Sequence, residues 1–348
     1  MIEKTKQLIE KLERTRSLTV EEYEFLLEHR SEETAESLAA KADAVRRTIY
    51  GNTVFIRGLI EVSNICRNDC LYCGIRRSNK ACDRYRLTKE QIIVCAEEGY
   101  GLGFRTVVLQ GGEGVFSAGH TADIVRELKK RWPDCAVTLS LGEYSREEYR
   151  ILREAGADRY LLRHETADKA HYDRLHPAEL SFDNRMRCLR DLKDLGFQVG
   201  CGFMVGSPYQ TLRNLALDLK FVEEFSPEMC GIGPFIPQKD TPFGNYPAGT
   251  ADMTIYLLSI LRLIKPNLLL PATTALGTIL KDGRERCIRA GANVVMPNLS
   301  PLSERKKYAL YDNKIATGDE SAQAVEHLRQ SMANIGYEVV TARGDFVK

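Results

Sequence analysis

The stretch GNTVFIRGLIEVSNICRNDCLYCGIRRSN, residues 51–79, changes character midway. Its first half contains Val54–Val62, a short β-rich run of Val, Ile, Leu and Phe. Its second half places Cys66, Cys70 and Cys73 in C-x3-C-x2-C spacing, a few residues past the end of that run. Upstream, residues 2–47 are charged and helical in period, with start signals at Thr19, a capping box, and at Ser31. Downstream, seven further apolar runs follow: Thr106–Gln110, Ala136–Leu141, Tyr160–Arg163, Val199–Val205, Met229–Ile236, Leu268–Ala272 and Asn293–Met296. Amphipathic segments separate them. Two open with capping boxes at Thr88 and Ser145, and several close on glycine before the next run, at Gly156, Gly196 and Gly291. Parallel neighbours need a crossover, so eight runs joined by helices predict an α/β fold, a (β/α)8 TIM-type barrel rather than a doubly wound sheet. The expected organisation is an N-terminal helical extension (1–50), the barrel (51–300) and a C-terminal segment (301–348) with one helix and a final short strand.

Composition agrees. The 348 residues exceed twice the domain size of about 150 residues, but one barrel with extensions accommodates them. With 43% hydrophobic and 28% charged residues, the chain is neither disordered nor collagen-like. A net charge of +1 disfavours nucleic acid as a partner. The longest apolar run, Ile255–Ile264, is broken by Ser259 and Arg262, which points to a buried helix and not to a membrane span. No apolar leader follows Met1, so a cytoplasmic location is expected. In a reducing compartment, clustered cysteines among the ten suggest metal or catalysis, and scattered ones are small buried hydrophobes.

Three thiolates so close together can wrap one soft metal centre. A structural zinc site wants a fourth ligand, and the nearest cysteine, Cys82, lies nine residues on in a basic stretch. A [4Fe–4S] cube held by three cysteines leaves one iron open for substrate or cofactor. The spacing favours the cube, with zinc as the alternative.

The run CRNDCLYC resembles the radical S-adenosylmethionine (SAM) enzymes, and further motifs resemble their biotin-synthase-like branch. These are Gly111-Gly112-Glu113 after the second run, His164-Glu165-Thr166 after the fourth, Phe182–Met186 in the next helix and Phe203–Gln210. The resemblance implies one [4Fe–4S] cluster on Cys66, Cys70 and Cys73. It assigns SAM binding to Tyr72, Gly111, Gly112, Glu113, Ser140, Arg163, Glu165, Arg185 and Met204. At Gln210 the family's usual glutamate is absent. Within that branch the chain looks most like the [FeFe]-hydrogenase maturases of the HydE type, through segments such as FIPQKDTPF and LLLPATTALGT. That likeness implies reductive cleavage of SAM to a 5′-deoxyadenosyl radical, which processes an iron carbonyl–cyanide cysteine complex. Near rivals are radical SAM mutases or synthases acting on an amino acid. A non-catalytic iron–sulfur scaffold is a third reading.

Substrate contacts are expected from Gln110, Thr138, Thr273, Thr274, Met296, Asn298, Tyr308 and Tyr311. The implied partners are a small organometallic or amino-acid-derived substrate, a reductant protein such as ferredoxin or flavodoxin, and other hydrogenase maturases. Many family members carry three C-terminal cysteines for an accessory cluster. Here Ala316, Ala324 and His327 stand at that spacing, so a single cluster is expected.

Overall fold

The computed structural model describes residues 2–315 and 321–348. Its strands are β1 (Thr53–Ile56), β2 (Gly58–Ser63), β3 (Thr106–Gly111), β4 (Ala136–Ser140), β5 (Arg159–Leu161), β6 (Gln198–Cys201), β7 (Met204–Val205), β8 (Met229–Cys230), β9 (Gly233–Pro234), β10 (Val294–Val295) and β11 (Glu338–Val340). β2-β3-β4-β5-β6-β8 form one parallel sheet, and β10-β1-β11 a second. Parallel bridges Met229↔Leu269, Pro271↔Val294 and Leu59↔Asn298 join the ends, so the sheet closes into the expected barrel. Every residue of β2 is buried, as a strand covered on both faces must be.

Four of the predicted runs are interrupted; the sixth divides into β8 and β9, and the other three break for local reasons. The first splits at Arg57, whose guanidinium runs to the barrel floor and reaches Met229 Sδ (3.0 Å) and Gly344 O (3.4 Å). The fifth breaks after Cys201, because the Gly202 N–H leaves the ladder for His164 Nδ1 (3.3 Å). The seventh makes only isolated bridges, since Pro271 has no N–H to donate.

Thr19 and Ser31 cap Val20–Glu28 and Glu32–Tyr50 with complete capping boxes, and Thr88 and Ser145 do the same farther on. Gly156, Gly196 and Gly291 take positive φ at the turns into the next strands. Val20–Glu28 packs on Leu212–Phe225, and Glu32–Tyr50 on Ala251–Ile264. The helix Ser321–Asn334 packs on β11, which pairs with the edge of β1.

The tail after β11 seals the floor. The fully buried Arg159 guanidinium donates to Thr106 Oγ1 (3.0 Å), Arg343 O (2.9 Å) and Asp345 Oδ1 (2.6 Å). Burial alone would raise the Asp345 pKa, but hydrogen bonds and charge from Arg343 and Arg159 bring it down to about 2, from the usual 3.8. A depressed carboxylate stabilises the fold above its unfolded pKa and loses that contribution as pH falls through the folded one. Asp345→Asn should therefore lower Tm at neutral pH and flatten its decline between pH 3.8 and about 2, in a Tm-against-pH series.

Candidate active site

The cysteine loop leaves the carboxyl end of β2, the face where barrels of this type carry their sites. Two polar residues shape it, the buried Asn64 and the half-buried Arg84. Asn64 donates to Asp83 O (2.7 Å) and Lys307 O (2.8 Å) and accepts from Tyr85 N–H (2.8 Å). The Arg84 guanidinium collects four loop carbonyls: Asn64 (2.6 Å), Ile75 (2.8 Å), Arg76 (2.6 Å) and Asn79 (3.1 Å). Neither residue stood out in the sequence, where Arg84 belongs to a basic stretch. The signal is faint, since loop carbonyls are invisible until the chain folds back.

The next strand end supplies the facing wall. Gly112 N–H donates to Ser63 O (3.0 Å) and Arg67 N–H to Glu113 O (2.8 Å), stitching the glycine turn to the cysteine loop. The Glu113 N–H points at Cys66 Sγ (3.4 Å). A Cβ on Gly112 would lie 2.0 Å from Ile65 O, so only glycine permits this approach. The Glu113 carboxylate is buried and paired with Arg67 at 2.7 Å.

Beyond it, Arg185 reaches Glu143 (2.5 Å) and Arg163 O (2.6 Å), and Asn184 donates to the other Glu143 oxygen (2.6 Å). Glu143 was missed by sequence reasoning, although an acidic residue just past a barrel strand end is a usable signal. Glu165 pairs with Arg163 at 3.1 Å and holds φ +66, the left-handed region that non-glycine residues enter at a cost. Its backbone is fixed on both sides, through N–H to Gly202 O (3.0 Å) and O from Met204 N–H (3.2 Å).

Beneath this turn lies a fully buried pair. His164 Nδ1 accepts from Gly202, so Nε2 carries the proton that points to Asp218 Oδ1 (3.2 Å), which also accepts the Ala167 N–H (2.5 Å). Burial lowers the His164 pKa to about 3 and pushes that of Asp218 well up, so the pair lacks the ionic character its residue types suggest. Asp218→Ala would orphan two buried donors and should cost about 1–3 kcal/mol, read by thermal unfolding.

These elements surround one cavity of about 310 Å³, within the usual ligand range. Its walls include Cys66, Cys73, Tyr72, Gly111, Gly112, Glu113, Ser140, Arg163, Glu165, Arg185 and Met204, and also Gln110, Thr273, Tyr308 and Tyr311. Cys70 lies between the other two cysteines in sequence and interacts electrostatically with both. The other expected substrate residues lie elsewhere. Thr274, Met296 and Asn298 line a second cavity of about 320 Å³, together with Ala324 and His327. Thr138 is buried in β4, its hydroxyl without a partner among the described residues. The slight turn of the chain at Thr273–Thr274 puts neighbours in different chambers, which strand position alone cannot show. Ala316 lies outside the described residues. Gln210 is consumed by its own loop, accepting from Gly206 N–H (2.6 Å) and donating to Met204 O (2.8 Å).

The donor set fits a cube. Among the described residues no three His, Cys, Asp or Glu side chains converge as ligands of a single ion. Cys82 accepts from the Asn64 amide (3.4 Å) and does not line the cavity. Burial, then mutual repulsion, pushes the thiol of Cys70 well up and that of Cys73 to about 12. Such thiols need a strongly cationic centre before they ionise, and a cluster of irons supplies one.

Residues 60–222 match the Radical SAM superfamily. The chain is 44% identical to the [FeFe] hydrogenase maturase subunit HydE of Thermotoga maritima, over 95% of this chain and 94% of that protein. The chain belongs to the radical SAM superfamily, within the HydE family. It is also 30% identical to the 3-methylornithine synthase of Methanosarcina barkeri, over 88% of this chain and 87% of that one. The crystal structure of methylornithine synthase (PylB) superposes with a TM-score of 0.85 at 28% identity, covering 96% of this chain and 97% of that one. As a radical SAM enzyme the chain uses a [4Fe–4S] cluster and SAM. Among the described residues no helix is long and apolar enough to cross a membrane.

Proposed function

We propose that this enzyme matures [FeFe]-hydrogenase by processing an iron carbonyl–cyanide cysteine complex in the cavity. The observation that carries the reading is a set of neutral polar groups in its lining. Gln110, Thr273, Tyr308 and Tyr311 offer an amide and hydroxyls, and among the described residues Thr273 Oγ1 is buried without a partner. Such donors suit carbonyl and cyanide ligands. The formally charged lining residues Glu113, Arg163, Glu165 and Arg185 are the ones the reading assigns to SAM. The identity to HydE over nearly the whole chain supports the same substrate class.

In this reading Cys66, Cys70 and Cys73 would hold the cube, which when bound and reduced would supply the electron for SAM cleavage to methionine and a 5′-deoxyadenosyl radical. Glu113, now paired with Arg67, would serve as counter-charge to the SAM ammonium. Arg185, oriented by Glu143, would take the carboxylate, and Glu165 the ribose. Tyr72, Leu161, Leu162, Met204 and Phe235 make the wall between them apolar and exclude water, which protects a radical from quenching. The implied partners are a reductant protein such as ferredoxin or flavodoxin and the other hydrogenase maturases. A reducing cytoplasm suits the ten unpaired cysteines.

The amino-acid mutase reading draws on the likeness to 3-methylornithine synthase. Anaerobic reconstitution, then dithionite and SAM, separates the readings when run with each substrate class. The expected result is the iron content of one cube, with 5′-deoxyadenosine and methionine formed and the iron complex consumed. A rearranged amino acid formed from lysine would replace the maturase reading with the mutase one. Absence of 5′-deoxyadenosine under every condition would sink both.

A further inference from the structure

The short helix Lys169–Leu175 follows the Glu165 turn and belongs to none of the roles above. It touches three parts of the site. His171 bonds Thr166 Oγ1 (3.1 Å) through Nδ1 and Pro208 O (3.0 Å) through Nε2. The Leu175 carbonyl accepts the Leu71 N–H (3.0 Å), inside the Cys70–Cys73 segment. His176, at the helix end, stands 3.2 Å from the Tyr72 hydroxyl.

The tautomer of His176 follows from its partners. Nδ1 lies 2.9 Å from Tyr172 O, and a carbonyl only accepts, so Nδ1 carries the proton. Nε2 is then a bare acceptor, and the Tyr72 hydroxyl must donate to it. Burial brings the His176 pKa down to about 3, so the arrangement persists across neutral pH. The imidazole is held flat on Tyr172 (ring centroids 3.9 Å) and edge-on to Tyr72 (5.5 Å), which leaves it one orientation.

We propose that His176 is a positioning residue: through the Tyr72 hydroxyl it sets where the Cys70–Cys73 segment stands, and so the SAM affinity of the site. This rests on the proposed function for the assignment of Tyr72 to the SAM wall. A phenol whose only hydrogen-bond partner among the described residues is a rigid, neutral acceptor is held from swinging into the cavity. With Leu71 tied to the same helix end, the segment between the two cysteines is braced at consecutive residues. Losing the acceptor frees the ring of Tyr72, which lines the cavity, while Cys70 and Cys73 keep their thiols.

The test uses the reconstituted holoenzyme and four variants. His176→Asn keeps an amide where Nδ1 donates but removes the acceptor. His176→Gln puts an acceptor where Nε2 stood. Tyr72→Phe removes the donor, and His176→Asn/Tyr72→Phe removes both. SAM binding is read by calorimetry on the oxidised protein, which does not turn over, alongside iron content and Tm. Expected are an affinity loss of about 10-fold for His176→Asn and for Tyr72→Phe, the size of one hydrogen bond. The double variant should be no worse than either, His176→Gln should stay near wild type, and iron content should be unchanged in all. Unchanged affinity in His176→Asn would overturn the proposal. So would losses that multiply in the double variant, or a loss that tracks Tm and is not restored by Gln. A wild type that binds SAM without cleaving it would sink the proposed function and leave this result standing. One that binds no SAM would sink both.

Discussion

Cys70→Ser is expected to lose the cube and SAM cleavage together while the barrel stays folded. Changing groups that merely hydrogen-bond to metal ligands costs about 10–100-fold, so removing a ligand should cost more than about 100-fold in 5′-deoxyadenosine formation. The fold should survive because the loop is not built by its cysteines. Asn64 and Arg84 hold its path through backbone carbonyls and would do so in the variant. Far-ultraviolet dichroism and Tm should therefore match wild type within a small margin, while iron content collapses. Cys82→Ser is the internal control, since that thiol only accepts from Asn64 and should be dispensable. A Cys70→Ser protein that kept its iron and its turnover would show that the cluster assignment is wrong.

Gly112→Ala should be the second large loss, and for a steric reason. The added Cβ would stand 2.0 Å from Ile65 O and 2.8 Å from Cys66 Cβ, distances that no relaxation of a flexible side chain can relieve. Either the cysteine loop or the Gly111–Glu113 turn must move, and a shift of about 1 Å in a catalytic constellation can cost about 100-fold. Gly111→Ala should be milder, because its Cβ would meet Val62 Cγ2 at 3.0 Å and Ser63 O at 3.2 Å, where small adjustments suffice. Gly119→Ala, in the helix Ala118–Arg131 with nothing within 4 Å, should leave turnover intact and raise stability by about 0.5–1 kcal/mol. The order of the three in SAM cleavage is the measurement. Equal activity of Gly112→Ala and Gly119→Ala would show that the two loops do not meet as described.

The readable part of the site was the part written in contiguous motifs. Cys66, Cys70 and Cys73 lie within eight residues, and Gly111-Gly112-Glu113 are adjacent, so spacing alone points to them. Glu143, His176 and Arg84 could not be read this way. Each is an ordinary charged or polar residue whose meaning depends on a partner outside its own motif: Arg185 and Tyr72 far along the chain, and for Arg84 the carbonyls of the loop folding back on it. The residues expected at the substrate end divide between two cavities: Thr273 and Thr274 fall in different ones, because which way a residue points after a strand stops is decided by packing and not by period.

The sequence by itself determined the barrel, because eight apolar runs separated by capped helices leave few other ways to bury every strand on both faces. It also marked out the proposed cluster ligands, because that chemistry needs thiolates a few residues apart. Only the tertiary structure decided where strands break, at Arg57, Gly202 and Pro271, and that the C-terminal tail closes the floor on Arg159. It alone decided which buried polar groups orient the site. Those choices rest on hydrogen bonds between residues distant in sequence, and a buried donor takes whatever acceptor the finished fold brings within reach.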